Sequence, residues 1–250
     1  MKSYEALAPV YDHLGDTVDY EAFATLYEAC FARYGITPSL VLDLGCGTGS
    51  TTLAMAARGY DMIGVDASAE MLSRAYTRAF SAGHSGVLFL QQDMREFELY
   101  GTVGAVVSSL DCINYLTEDG DLDACFSLVH NYLDPDGVFV FDVNTPHKFR
   151  TVYGNNAYVL EDETTLCAWQ NEYDEKTRLC HFYLSVFRED EDGRYERSDE
   201  EQTERCYTRE ELESALARAG FADVAFFGNV DMSAPTDTTE RWFVAARCKK

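Results

Sequence analysis

Residues 41–49 read VLDLGCGTG, and their types and spacing suit a ligand loop. Leu40 to Leu42 and Leu44 predict a strand, and STTLAMAARGY after the loop predicts a helix over 48–58. Gly45, Gly47 and Gly49 form the turn between them. Glycine serves where the backbone needs φ > 0 or a ligand must come close. Open α/β sheets bind ligands at this end of their strands. A dinucleotide fingerprint runs G-x-G-x-x-G. Its third glycine would fall on Ser50, but here the glycine comes one residue early, at Gly49. Asp43 beside the turn would repel a pyrophosphate. It suits a ligand that carries an ammonium and a sulfonium.

Two further acids extend this reading. GVDAS places Asp66 about twenty residues beyond the first glycine, where a carboxylate can accept both ribose hydroxyls. QQDMREF places Asp93 where it can take an adenine amino group, with Met94 lining the ring. Asp43, Asp66 and Asp93 thus fall at the ends of three successive predicted strands. Together they describe an electronegative slot for a cationic nucleoside, and S-adenosylmethionine is such a ligand.

The elements that must position these residues alternate strand and helix. Strands are expected at 40–44, 61–65, 87–91, 103–108 and 138–143, and helices at 68–81 and 121–133. Ser68 is a candidate N-cap. Asp134-Pro135-Asp136-Gly137 is a breaker before the fifth strand. The repetition implies a doubly wound, mostly parallel sheet. From about 157 to 207 the period becomes two, which predicts a small antiparallel β insertion of three strands. Within it, EDEDGRYERSDEE is expected to be a solvated hairpin tip and edge strand. Thr208 and Glu211 have capping-box spacing for a helix over 208–219 that Gly220 ends. Strands over 222–227 and 242–247 close the chain, giving seven in the main sheet.

Composition excludes several functions. The net charge of −23, from 20 Lys and Arg against 43 Asp and Glu, argues against a nucleic-acid binder. No apolar run approaches the length of a membrane span. The N-terminus lacks a signal-peptide core, so a soluble cytoplasmic protein is expected. The eight cysteines form no C-x-x-C, and no histidine lies at ligand spacing from another, so no metal site is expected. Cys46 is read as small rather than nucleophilic, because no base partner is evident.

VLDLGCGTG, GVDAS, QQDMREF, VVSSLDCINYL and LDPDGVFVFDVNTP, in that order, resemble the successive motifs of class I S-adenosylmethionine-dependent methyltransferases. The resemblance spans about 40–145 and implies a Rossmann-like fold. It implies that Asp43 approaches the amino group of S-adenosylmethionine through the loop or a water, that Gly45, Cys46, Gly47 and Gly49 pass the methionine portion, that Asp66 holds the ribose and that Ala67 and Met71 also bind the cofactor. Asp93 and Met94 would hold adenine, and Ser109 and Leu110 would flank the cofactor. APVYDHLGDTVDYEAF resembles the lid of a small-molecule subgroup that includes amino-sugar N-methyltransferases. It implies a lid over 1–35, Tyr11 reaching over the cofactor toward the acceptor, and Tyr20 near the methionine end. The cofactor-binding part would then comprise 36–150 and 207–250, with the acceptor-side insertion at 151–206. Asn114 and Tyr115 would begin the acceptor side.

The catalytic candidates are Tyr11, Asp111 and His147. Asp111 could orient an amine, or it could cap a helix start. His147 could act as a base. The expected reaction is methyl transfer to a small molecule, an amine above all. The alternatives are an RNA or protein methyltransferase and a non-catalytic regulator that binds S-adenosylmethionine. No membrane partner is expected, and a homodimer is left open.

Overall fold

The computed structural model describes residues 18–161, 164–190 and 192–250. Its frame is a seven-stranded sheet. β1 (Leu40–Leu44), β2 (Asp61–Asp66), β3 (Leu88–Gln91), β4 (Val103–Ser108) and β5 (Leu133–Asn144) are joined in parallel. Two antiparallel strands, β10 (Phe221–Phe227) and β11 (Arg241–Cys248), extend the β5 edge. The spatial order is β10-β11-β5-β4-β1-β2-β3. The connections reverse direction between β1 and β4, and such a switch point opens a crevice at the carboxyl ends.

Helices cover both faces because the parallel strands are apolar on both sides. On one face lie α1 (Tyr20–Tyr34) and α2 (Ser50–Ala57), with Leu26, Tyr27 and Met55 buried against Val41, Val107 and Val140. On the other lie α4 (Asp121–Tyr132) and α5 (Arg209–Ala219), which bury Phe126, Val129 and Leu216 against Phe139 and Phe141. Between β2 and β3, α3 (Ala69–Ser81) is capped by Ser68, whose hydroxyl accepts from the Met71 N–H. The capping box of Thr208 and Glu211 is formed, and Gly220 closes α5 in the left-handed region. Of the expected lid, the structure describes residues from Val18 onward. That part is mostly α1, a core helix.

Two expectations need correction. The fifth strand starts at Leu133 rather than Val138, so Asp134 to Gly137 do not break it. Pairing runs from Val103 with Leu133 to Ala105 with Val138, and the register shift absorbs the extra residues as an irregularity. Such insertions bend a strand without ending it. The insertion has four strands, not three: β6 (Ala157–Glu161), β7 (Thr165–Asp174), β8 (Leu179–Glu189) and β9 (Tyr195–Arg205). Cys167, Phe182 and Val186 face a small core with Phe149 and Tyr153. β9 is an edge strand, as the charge run suggested. Its second half is not solvated, however, because Glu200, Gln202 and Glu204 point inward and are buried.

Candidate active site

The loop after β1 is shaped by backbone close to side chains. Gly45 sits at φ +78°, and its N–H donates to the Val65 carbonyl. A Cβ there would lie 2.7 Å from Cys112 Sγ, so only glycine fits. Gly49, also at positive φ, has another reason. A Cβ on it would meet Ala75 at 3.1 Å and the Phe89 ring at 3.4 Å, and it lets α2 start close to α3 and β3. Gly49 is a packing glycine and lines neither cavity of the site. Met71 is buried and likewise lines neither.

The first cavity is small and deep, and it lies against Tyr20, Asp43, Gly47, Thr51, Ser109 and Leu110. Asp43 is fully buried. Its Oδ2 accepts from Thr52 Oγ1 at 2.5 Å, while Oδ1 has no hydrogen-bond partner. Burial, with a smaller contribution from the nearby Asp66, pushes the Asp43 carboxyl up to about 7. An orphaned buried carboxylate oxygen is costly unless something pairs with it. Ser109 is held between Tyr27 Oη at 2.6 Å and Thr51 Oγ1 at 3.0 Å. Thr52 and Tyr27 were not singled out from sequence, since their roles depend on contacts between elements.

The second cavity is a cleft of about 600 Å³ that runs from Gly45 past Asp66, Asp93 and Met94 to Tyr115 and Gln202. Asp66 accepts from the Gly47 N–H and the Ser68 N–H, both at 2.8 Å, so the acid organises the loop as well as lining the cleft. Burial raises its carboxyl despite those bonds. Ala67 lies beside it in the wall. Asp93 is held by Arg95, with Nε on Oδ1 at 2.8 Å and a second guanidinium nitrogen on Oδ2 at 2.5 Å. That pairing keeps the Asp93 carboxyl below its ordinary range. Cys46 is buried, and burial with the nearby acids keeps its thiol well above its usual value, so it is inert.

Beyond Ser109 the chain takes two consecutive left-handed residues, Leu110 at φ +59° and Asp111 at φ +54°. Each costs roughly 1–2 kcal/mol for a residue with a Cβ. Asp142, at the end of β5, holds both: its Oδ1 accepts from Leu110 N–H at 2.8 Å and its Oδ2 from Asp111 N–H at 2.9 Å. Arg241 on β11 bonds to Asp142 and, at 2.7 Å, to the Asp111 carboxylate. Asp111 therefore makes no capping hydrogen bond, and its carboxylate is committed to an ion pair. Burial would raise it, but Arg241 and Lys148 outweigh burial and hold it low. Nearby, Lys148 Nζ donates to Asn144 Oδ1 at 2.9 Å and Asn144 Nδ2 donates to Glu204 at 3.0 Å. Burial and the charge of Asp111 push the Glu204 carboxyl well up. Asp142 had a signal in the sequence, since it is a fourth acid at a strand end, inside VFVFDV.

His147 is half-buried on a helical turn (Pro146–Lys148), where Thr151 is its hydrogen-bonding neighbour, and it lines neither cavity. Tyr11 lies outside the described residues. The insertion docks on this side of the sheet. Asn114 Nδ2 donates to the Arg205 carbonyl at 2.8 Å, and Tyr115 Oη donates to Gln202 Oε1 at 2.7 Å.

With this geometry in place, comparison with known proteins decides the family. A methyltransferase domain family matches residues 41–137, which is the stretch from β1 to the irregularity in β5. YqeM of Bacillus subtilis (strain 168), a protein with a methyltransferase name, is 32% identical over 248 residues, 99% of this chain and 98% of that one. The chain belongs to the S-adenosylmethionine-dependent methyltransferases. The methyltransferase also matches the crystal structure of such an enzyme from Clostridium acetobutylicum, with a TM-score of 0.89, 28% identity and 99% of each chain covered. A dTDP-3-amino-3,6-dideoxy-alpha-D-glucopyranose N,N-dimethyltransferase of Streptomyces fradiae is 29% identical over 222 residues, 86% of this methyltransferase and 84% of its relative. Its cofactor is S-adenosylmethionine, and its fold is the expected doubly wound sheet with an antiparallel addition.

Proposed function

We infer that this methyltransferase acts on a small molecule and that the accepting atom is an amine nitrogen. The observation that carries the reading is the charge of the cleft. Asp66, Glu70, Asp93, Glu118 and Glu201 line it, and the one cationic lining side chain among the described residues, Arg95, is already paired with Asp93. An acid-rich concave wall concentrates cations and repels polyanions. It therefore favours an amine over RNA, in keeping with the overall charge of −23.

The residues present fit the cofactor. The unpaired Asp43 Oδ1 in the deep cavity suits an ammonium, directly or through one water. Asp66 keeps acceptor capacity for ribose hydroxyls, and Met94 with Asp93 would border adenine. S-adenosylmethionine supplies a methyl group on a sulfonium, already activated for displacement. The protein's task is then positioning and exclusion of water. The strained loop at Leu110, Asp142 beneath it and the docked insertion would hold the acceptor side rigid. An amine drawn in as its ammonium form gives up a proton to water before attack, and the neutral amine then brings its own lone pair and needs little further help from a base. This agrees with Asp111 being tied to Arg241 and with His147 standing off the cleft.

A screen for transfer of radiolabelled methyl tests the reading, with amines, amino sugars, phenols and bulk RNA as acceptors. Turnover should concentrate on amines. Turnover on RNA or phenols alone would sink the amine assignment. S-adenosylmethionine binding without turnover on any class would favour a non-catalytic regulator.

A further inference from the structure

β9 brings a third acid to the buried charges at the carboxyl end of the main sheet. Glu204 is 3% exposed, and its Oε2 accepts from Asn144 Nδ2 at 3.0 Å. Its carboxyl group also hydrogen-bonds to the carboxylate of Asp111. Two carboxyl groups can bond to each other only when one carries a proton, because an ionised carboxylate only accepts. Asp111 is the ionised one, since Arg241 bonds to it at 2.7 Å and Lys148 lies near. The shared proton therefore belongs to Glu204.

The local charges lead to the same place. Arg241 and Lys148 balance Asp111 and Asp142. An ionised Glu204 would be a third negative charge, and a buried charge without a partner is costly. Titratable groups face it from each element around it: Asp111 at the head of the 3-10 turn Cys112–Tyr115, Lys148 and Tyr153 from the helical segment after β5, Arg241 from β11 and Cys180 from β8. Burial pushes the Cys180 thiol up to about 12 and raises the Tyr153 phenol well above its ordinary value, so both are neutral. The exposed Glu240 lies on the Lys148 side and adds negative charge. Along β9, Glu200 and Gln202 share the inward face.

The bond joins two distant parts of the molecule. Glu204 lies on the insertion, next to Arg205, whose carbonyl accepts from Asn114 at 2.8 Å. Asp111 follows Leu110, which lines the deep cavity with Asp43 and Ser109. Both residues of that loop are left-handed, a conformation that persists only where the surroundings enforce it. Asp142 braces the loop from the sheet, and Glu204 reaches it from the insertion.

We propose that Glu204 is a positioning residue that works as a carboxylic acid: by donating to Asp111 it ties the insertion to the Leu110–Asp111 loop and holds Leu110 against the deep cavity. This role is independent of the acceptor's chemistry. Glutamine can replace such an acid, since its carbonyl accepts from Asn144 and its amide donates to Asp111. Leucine can do neither. The joint is intact while Glu204 holds its proton and is lost as pH rises through its folded-state value, where two carboxylates face each other.

Hydrogen exchange on the full chain, corrected for intrinsic rates, reads the joint through the amides of 109–116 and 198–206. At about pH 6, below the range of about 8–9 in which buried glutamates titrate, Glu204→Gln should match wild type. At the same pH Glu204→Leu should lose at least about tenfold in protection, the size of a hydrogen bond to a charged group. Toward about pH 10, wild type should fall by a similar factor relative to Glu204→Gln, whose amide does not titrate. The S-adenosylmethionine Kd should weaken in parallel, by up to the same factor, in the leucine variant and in alkaline wild type relative to the glutamine variant. Loss of protection in Glu204→Gln at the lower pH would mean that an ionised carboxylate is needed, and the proposal falls. It falls equally if wild type and Glu204→Gln are protected alike over the whole range, or if Kd ignores the loss of protection. Should the leucine variant not fold, the glutamine comparison decides alone.

Discussion

The proposed cofactor side and the proposed acceptor side of this site are built differently. On the former most cavity-lining groups come from short segments: the loop over 43–51, the β2 end at Asp66 and the β3 end at Asp93 and Met94. Asp66 bonds to Gly47 and Ser68, and Asp43 to Thr52 nine residues on. On the acceptor side nearly every polar group is held by a partner far along the chain. Asp142 holds Leu110, Arg241 holds Asp111, Glu204 holds Asn144 and Gln202 holds Tyr115. A site made of local turns can be conserved in shape while a long-range network beside it is rebuilt for another acceptor.

The largest effect should come from breaking that network at its centre. Asp142→Ala removes the carboxylate that satisfies two N–H groups and pairs with the buried Arg241. Removing one member of a buried pair strands the other and typically costs about 3–5 kcal/mol. Urea denaturation should show a loss of that order. Replacing both partners, Asp142→Leu with Arg241→Met, should cost less than the sum of the single changes, because neither of the two is left as a charge facing the other's empty place, although Asp111 then has Lys148 as its remaining nearby cation. Additive costs would mean that the two residues act independently, and the contrast drawn above would weaken.

The same contrast explains what was readable in the sequence. VLDLGCGTG, Asp66 and the Thr208–Glu211 capping box were legible because their geometry is decided within a few residues. Gly49 looks from sequence like part of the loop alone, but the space for a Cβ there is closed by Ala75 and Phe89, which come from two other elements. Glu200 lies near the end of the charge run expected to be solvated, and Gln202 and Glu204 continue its alternation just beyond. Nothing local announces that one face of β9 will lie on the Cys112–Tyr115 turn. Asp111 looked like a base or a cap, because Arg241, 130 residues away, is invisible at that range.

A middle-sized effect tests the local half. Asp43→Asn should weaken S-adenosylmethionine binding about 10- to 100-fold, the worth of a charge-assisted hydrogen bond of about 1.5–3 kcal/mol. Because burial lifts the wild-type carboxyl to about 7, it is partly protonated in the free protein near neutral pH, and an incoming ammonium should displace that proton. Affinity should therefore rise with pH through 7, with proton release seen by calorimetry in buffers of different ionisation enthalpy, and the variant should lose both. The stability consequence has the opposite sign. The folded carboxyl binds its proton more tightly than an unfolded one of about 3.9. Its contribution to stability is therefore full below about 4 and is lost as pH rises toward 7. A pH-independent Kd in wild type would remove Asp43 from contact with the ammonium.

The smallest effect concerns Asp93, the one of Asp43, Asp66 and Asp93 that is held by an arginine. Its carboxylate is engaged by Arg95, and both groups reach solvent, with side chains 29% and 45% exposed. Exposed pairs contribute about 0.2–1 kcal/mol. Arg95→Ala should therefore shift the urea midpoint little. Its effect on cofactor affinity is more informative. If Asp93 must turn from Arg95 to meet an adenine amino group, removing the arginine should tighten S-adenosylmethionine binding by up to about fivefold, the upper end of that same range. The gain should shrink at high salt, where the competing pair is already screened. If Arg95 instead braces Asp93 in the working position, the variant binds more weakly. Asp93 would then be held by its sequence neighbour in the way that Asp111 is held by Arg241, and the cofactor side would be less independent than its short-range contacts suggest.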